Sequence, residues 1–453
     1  MPLSVMESSV YLIEELLGKC EKIAVKKLKN NDRKWADGPE FGHQNGLYIP
    51  LELREGSFFP KLENANPDKP HIFECTIQTC WVRTGELKRS RLVNYSNKGS
   101  ECHLTRVPKR EFAGISPASW FVVGRKEMGG EPIYYCLVID SADSEGSTFV
   151  ETIFELDSAF EYDIFDADKA LHSETASQGI VEELFQALMS GSLENLMAAY
   201  AFPKTSELAA MAQGEYLKRS GLTDLNPFKM ECPGDALMQL SRDIEYRLFR
   251  QYSARHYSAK MLQMLSGGKA APDLKMVVTK LVTRFDDIYK EVMVSAGQRS
   301  KSRAGFSFEQ HVQRMLADGG IPFQEQRFIG NQRPDFILPS LELYREPGRA
   351  RDEAFILSLK TLLRERWKQV LSENKESDLF LGTVDDGIAG ESVEEMSSHG
   401  IYLVVPEQLK DSDYTEYKNH DNVITFHDFF NTELCKRRKL WLKRGLEFQF
   451  SDT

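Results

Sequence analysis

Residues 333–375 constrain the fold more than any other stretch of this chain: RPDFILPSLELYREPGRARDEAFILSLKTLLRERWKQVLSENK. The apolar run Phe336-Ile337-Leu338 follows Pro334-Asp335, and a polar loop leads to a second run, Ala354-Phe355-Ile356-Leu357, that ends on Ser358-Leu359-Lys360. Residues 362–375 then take up the spacing of an amphipathic helix. Two short apolar runs and a helix predict adjacent strands in an α/β layer. Asp335 and Lys360 stand near the ends of those strands, so pairing them sets a carboxylate beside an ammonium.

That pair has a chemical meaning. A carboxylate ligates a hard cation such as Mg²⁺ through oxygen. The cation polarises a phosphate and lowers the pKa of a bound water, while an ammonium orients the water or steadies developing charge. This is the logic of the PD-(D/E)XK nucleases, with one departure: the middle acid falls at position 358, which is Ser358 here. Glu373, on the following helix, is the natural replacement, and it joins Asp335 as a candidate metal ligand. Glu309 lies off the apolar stripe of a predicted helix at 307–317 and is in reach of Asp335 on this reading. A turn at Pro-Asp, a solvated Lys and a solvated surface Glu are the plain alternatives.

Net charge gives no support to a nucleic-acid partner, since 57 Lys and Arg against 68 Asp and Glu leave the chain at −11. What DNA requires is a local basic surface. One candidate lies among Arg83, Lys88, Arg89, Arg91, Lys98, Arg106, Lys109 and Arg110, with Asn94, Tyr95 and His103 available for base edges. A solvated face is the competing reading. The surrounding runs at 71–83, 90–95, 119–124, 132–140 and 148–154 are strand-like and separated by turns, as in a barrel or sandwich. Residues 5–28 read as one surface helix with a basic tail at Lys26, Lys27 and Lys29. Residues 161–178 are acidic and aperiodic, an interdomain linker on composition. Helical spacing fills 180–296. After 333–375, strand, helix and strand follow at 379–381, 393–396 and 401–405. A last helix at 426–444 carries the basic cluster 436–439, either a DNA contact or a solvated face.

Seven cysteines at irregular spacing argue against a disulfide framework, and Cys75 with Cys80 has no second pair to complete a zinc site. No secretory signal is visible, and no apolar run approaches the ~20 residues a membrane helix needs. The expectation is a cytoplasmic protein with no membrane partner.

Ser358-Leu359-Lys360-Thr361 with Arg364-Glu365-Arg366-Trp367 resembles the catalytic and recognition element of EcoRII-type restriction endonucleases. So does Lys301-Ser302-Arg303-Ala304-Gly305 with Glu309. The resemblance extends to Gly42-His43-Gln44, Gly46-Leu47-Tyr48-Ile49-Pro50 and Leu403-Val404-Val405-Pro406. It implies a multidomain α/β chain: a DNA-binding pseudobarrel at 1–165, a linker at 166–201, and a catalytic domain at 202–453 with a helical dimerisation part and a mixed-sheet nuclease core. It places the second acid on the helix after the Lys, as inferred for Glu373. Tyr344 and Arg364 would line the active site, with Arg303 in support. Arg364, Glu365 and Arg366 would read C·G pairs, since Arg bonds guanine bidentately and Glu accepts from cytosine. His43, Tyr48 and Arg106, with Asn94 and Lys98 nearby, would bind DNA in the N-terminal domain. The partners implied are double-stranded DNA, as target and effector, and a second copy of the chain, with Mg²⁺ as cofactor. Two other classes stay open on the residues alone: a structure-specific repair nuclease, and a DNA-binding regulator with an inactive core.

Overall fold

Helix formation at the N-terminus stops earlier than its spacing predicts. Ser8 caps the helix Ser9–Lys19, accepting from the Tyr11 N–H at 3.3 Å. Cys20 is already extended, and the chain continues as strand β1 (Lys22–Lys27). The single helix expected over 5–28 is therefore corrected to a helix and a strand. β1 is buried on both faces, which is why it lacks the alternation of a half-exposed strand. Its lysines are not a solvated tail: Lys26 is 3% and Lys27 6% exposed. Lys26 pairs with Asp32, and Lys27 pairs with Asp386 at 2.6 Å.

This computed structural model describes residues 8–38, 46–55, 58–64, 66–171, 174–325, 333–363, 366–370 and 377–446. They fall into two units, one of Met1–Ser173 with Asp386–Ser392 and Asp411–Lys418, the other of Glu174–Asp385 with Val393–Lys410 and Asn419–Thr453.

The first unit holds β1, β2 (Gly46–Ile49), β3 (Ile72–Trp81), β4 (Glu86–Tyr95), β5 (Cys102–Thr105), β6 (Trp120–Met128), β7 (Glu131–Ile139) and β8 (Tyr162–Asp166). They form one sheet in the order β2-β5-β4-β3-β7-β6-β1-β8. All neighbours are antiparallel except β3 and β7. Leu47 and Ile49 of the edge strand β2 and Tyr162 and Ile164 of the other edge strand β8 pack on one core, so the sheet curls back on itself. Period-two alternation sorts the side chains into two cores. Phe121 and Val123 of β6 join Trp81, Phe112 and Tyr134 inside the curl. Trp120 and Val122 pack outward under the helix Ser9–Lys19 with Leu12, Ile13 and Leu16.

Two further readings change here. Residues 148–154 are not a strand; most of them lie in the helix Ser144–Ile153, capped by Asp143. Val150 and Phe154 are buried on that helical face. Burying each contributes roughly 1.5–3 kcal/mol, more than a strand preference whose whole scale spans about 1 kcal/mol. The aperiodic stretch 161–178 contains β8 and the helix Ala167–Leu171. Its polarity is that of an edge strand paired to β1, Lys22 standing opposite Asp166.

The second unit contains β9 (Gln324–Glu325), β10 (Phe336–Leu338), β11 (Phe355–Leu359), β12 (Asp378–Gly382), β13 (Ile401–Val405) and β14 (Val423–Thr425) in the order β14-β13-β12-β11-β10-β9. β11 to β14 are parallel, while β9 and β10 run antiparallel to their neighbours. This is the mixed sheet that the alternation of strands and helices predicts. Every residue of β11 is buried, as a strand covered on both faces requires. The helix expected at 307–317 runs from Ser295 to Asp318, and Gly320 at φ +64° turns the chain past its end. His311 on that helix meets Glu245 at 2.9 Å with both side chains fully buried, and this pair fixes the helix against its neighbour Glu245–Ser266.

Candidate active site

The register of β10 and β11 pairs Phe336 with Leu357 and Leu338 with Phe355. One step beyond sets Asp335 across from Ser358, on the sheet face that Lys360 shares. The Asp335 carboxylate accepts the Leu359 N–H at 2.7 Å and lies 3.3 Å from Lys360 Nζ, both through Oδ2. Lys360 Nζ also donates to the Leu359 carbonyl at 2.8 Å. Its own N–H continues the sheet by donating to the Gly382 carbonyl at 3.0 Å. The two side chains are 14% and 24% exposed, enough for a ligand to reach them. The structure thus joins the two residues that sequence spacing singled out. Ser358 is fully buried behind them.

Other candidates are distributed around this pair. Tyr344 sits on the helix Leu341–Arg345, half-buried, with the Arg349 guanidinium 4.8 Å from its ring centroid. Glu309 is half-buried on Ser295–Asp318 beside the buried Phe308. Arg366 is exposed, and its N–H donates to the Leu363 carbonyl at 2.7 Å. Trp367, at 1% exposure, anchors the short helix that follows. Arg364, Glu365, Glu373 and His43 lie outside the described residues, as do the side chains of Arg303 and Lys98. One residue here has no signal in the strand pattern. Asp385, 4% exposed, follows β12 and accepts the Leu363 N–H at 2.7 Å. Its place just past the carboxyl end of a parallel strand, where open α/β sheets hold ligands, is the clue that could have found it.

In the first unit the basic run is partly neutralised. Arg91 pairs with Glu74, Arg110 with Glu86 at 2.6 Å, and Arg83 donates to Ser9 Oγ at 3.0 Å. Asn94 is buried, and its amide donates to the Gly99 and Glu101 carbonyls at 3.1 and 2.7 Å. Those bonds tie Asn94 to the loop between β4 and β5. Tyr48 on β2 stands edge-on to His103 on β5, ring centroids 6.1 Å apart. Arg106 is exposed at φ +58°, at the corner that follows β5. The basic cluster 436–439 is also mixed: Arg437 is buried and pairs with Asp378 and Glu433.

Cys232, Asp235 and Glu407 lie close enough together to hold a metal. Their carboxylates already cap helices, however: Glu407 accepts the Asp235 and His427 N–H groups, and Asp235 accepts that of Gln408. All seven cysteines are free thiols. Among the described residues no helix is long and apolar enough to cross a membrane.

Residues 270–430 match the family described as EcoRII C terminal. The chain is 26% identical over 417 residues to the type II restriction enzyme EcoRII of Escherichia coli, covering 86% of this chain and 89% of that one. It is 24% identical over 199 residues to the type II restriction enzyme SsoII of Shigella sonnei, covering 41% of this chain and 63% of that one. Among solved structures, metal-depleted Ecl18kI in complex with uncleaved DNA aligns with 55% of this chain and 85% of its own at a TM-score of 0.42 and 20% identity. The chain is thus similar to EcoRII-type type II restriction enzymes, and its residues 270–430 match the EcoRII C-terminal family.

Proposed function

We propose that this protein is a Mg²⁺-dependent type II restriction endonuclease that cuts double-stranded DNA at a short near-palindrome with CC and GG halves. The carrying observation is the Asp335 carboxylate bonded to both the Leu359 N–H and Lys360 Nζ. Both bonds fall on Oδ2, and among the described residues Oδ1 has no protein donor. That oxygen fits a hard cation that keeps most of its waters. When bound, Mg²⁺ supplies polarisation of the phosphate and a more acidic water. Lys360 contributes a fixed positive charge at the sheet end, placed to orient the attacking water or steady charge developing on the phosphate.

Glu373 is proposed as the second acid, with Glu309 next in line. Tyr344, Arg364 and Arg303 are proposed to line or support the site. Arg364, Glu365 and Arg366 are assigned to base reading, which the exposure of Arg366 supports. A near-palindromic target asks for a two-fold symmetric enzyme, hence a homodimer. Leu274 at 74%, Val282 at 73% and Phe285 at 60% exposed offer apolar surface on the helical part that a second copy would cover. The N-terminal unit is proposed to bind a second copy of the target through His43, Tyr48 and Arg106, with Lys98 on phosphate. It restrains cleavage until that copy binds.

The test is direct. Asp335→Ala and Lys360→Ala should abolish plasmid cleavage in Mg²⁺ while a gel-shift assay still detects specific duplex binding, because neither residue reads bases. Sequencing the ends of wild-type digests defines the target. Cleavage by Asp335→Ala at the wild-type rate would end this assignment.

A further inference from the structure

The start of the base-reading run is tied to the centre of the sheet by a carboxylate that the chemistry above does not use. Asp385 Oδ2 accepts the Leu363 N–H at 2.7 Å with both residues buried. Leu363 is in turn bonded to the described end of the run, its carbonyl accepting the Arg366 N–H at 2.7 Å. Asp385 is itself held: its N–H donates to Thr383 Oγ1 at 3.1 Å. The fully buried Thr383 is hydrogen-bonded through its N–H to the Val404 carbonyl at 2.9 Å. The chain of bonds therefore runs from β13 through the end of β12 to the first backbone amide ahead of Arg364.

A buried carboxylate carries a large desolvation cost unless it is well bonded. Keeping one here makes physical sense if the bond it accepts is a strong, charge-assisted one. Lys360 does not depend on this bond, because its own N–H is anchored to Gly382 within the sheet. What depends on it is the path of the chain over the next few residues. Bidentate contacts to a base tolerate displacements of only about 0.5 Å or 10–20°.

We propose that Asp385 is a positioning residue for sequence reading: by holding Leu363, and through it Arg366, it fixes where the chain enters the 364–366 run and so where that run meets the bases. This rests on the reading of 364–366 as the recognition element. The test uses the full-length protein with Asp385→Ala, Asp385→Ser, Asp385→Asn and Arg366→Ala. The kcat and KM are measured on a duplex carrying the target and on duplexes with one outer C·G pair replaced. Ala and Ser, which do not span to Leu363, should lower the target-to-variant ratio of kcat/KM at least tenfold, the loss on the target falling more on KM than on kcat. Asn keeps an acceptor oxygen and should recover the ratio to within about threefold of wild type. An unchanged ratio in Asp385→Ala overturns the proposal, and so does an Asn variant as impaired as Ala. If neither Ala nor Ser folds by circular dichroism, Asp385 supports the fold and not the reading of bases, which also overturns it. Arg366→Ala separates the two layers. If Arg366→Ala lowers the ratio and Asp385→Ala does not, the positioning role alone fails. If Arg366→Ala leaves the ratio unchanged, 364–366 is not the recognition element and both readings fall.

Discussion

Arg437 is one of four consecutive basic residues, and it is buried. Its guanidinium lies 5.1 Å from the ring centroids of Phe355 and Phe380 and pairs with Glu433 at 2.6 Å and with Asp378. Charge counting along a sequence treats such a residue as solvated, although a planar, weakly hydrated guanidinium can stack on rings while both acids are satisfied. Arg437→Ala should therefore cost about 3–5 kcal/mol, as expected when one partner of a buried ion pair is removed. Arg351, 3.2 Å from Asp378, remains to compensate one acid and points to the lower end of that range. Urea unfolding of the two proteins measures it, and a loss under 1 kcal/mol would mean that the pair is solvated in practice. The pH dependence has a definite sign. Burial pushes the Glu433 carboxyl up, but Lys436 and Arg437 outweigh it and hold it below the ordinary glutamate value. Its stabilising contribution is thus complete above that ordinary value and is lost as pH falls through the depressed one. Arg437→Ala should flatten this acid-side slope.

Strand β11 shows how the element scale sets the site. A Cβ added at Gly382 would meet Leu359 Cδ2 at 2.7 Å and Phe426 Cζ at 3.2 Å, so the sheet is closed around Leu359 at this level. Gly382→Ala should push on the residue whose N–H holds Asp335. Overpacking of this kind costs typically 1–3 kcal/mol, and activity should fall with it; wild-type melting and cleavage would show that the Leu359 side chain moves aside freely. β11 itself was legible in the sequence, because an apolar run bounded by polar loops has few alternatives to a buried strand. The Asp335–Lys360 pair was legible for the same reason, since two strand ends fix two side chains. β1 was not, because Ile23 continues the helical spacing set by Leu16 and Leu17, and only pairing to β6 and β8 decides for a strand. Asp385 was not legible either. Its partner is 22 residues away across a parallel crossover, a contact that no local period encodes.

At the scale of the whole molecule, the chain has two parts to which DNA binding is assigned, and the chemistry needs one. The first unit consists of a curled sheet together with Asp386–Ser392 and Asp411–Lys418, segments that lie late in the chain. Cutting the chain near Phe202 would remove most of that unit and leave these two segments behind, so the intact protein offers the cleaner experiment. If the N-terminal unit restrains cleavage, a second copy of the target relieves the restraint only through its higher affinity for the unrestrained state. Full-length protein should then cut a one-site plasmid slowly, and added oligonucleotide duplex carrying the target should speed it severalfold before competing at higher concentration. A duplex with one outer C·G pair replaced should do neither. A version starting at Phe202 should cut the one-site plasmid faster and should gain nothing from the oligonucleotide. Should the intact protein show no stimulation and the shortened, folded, dimeric version cut no faster, restraint is excluded and the N-terminal unit contributes affinity alone.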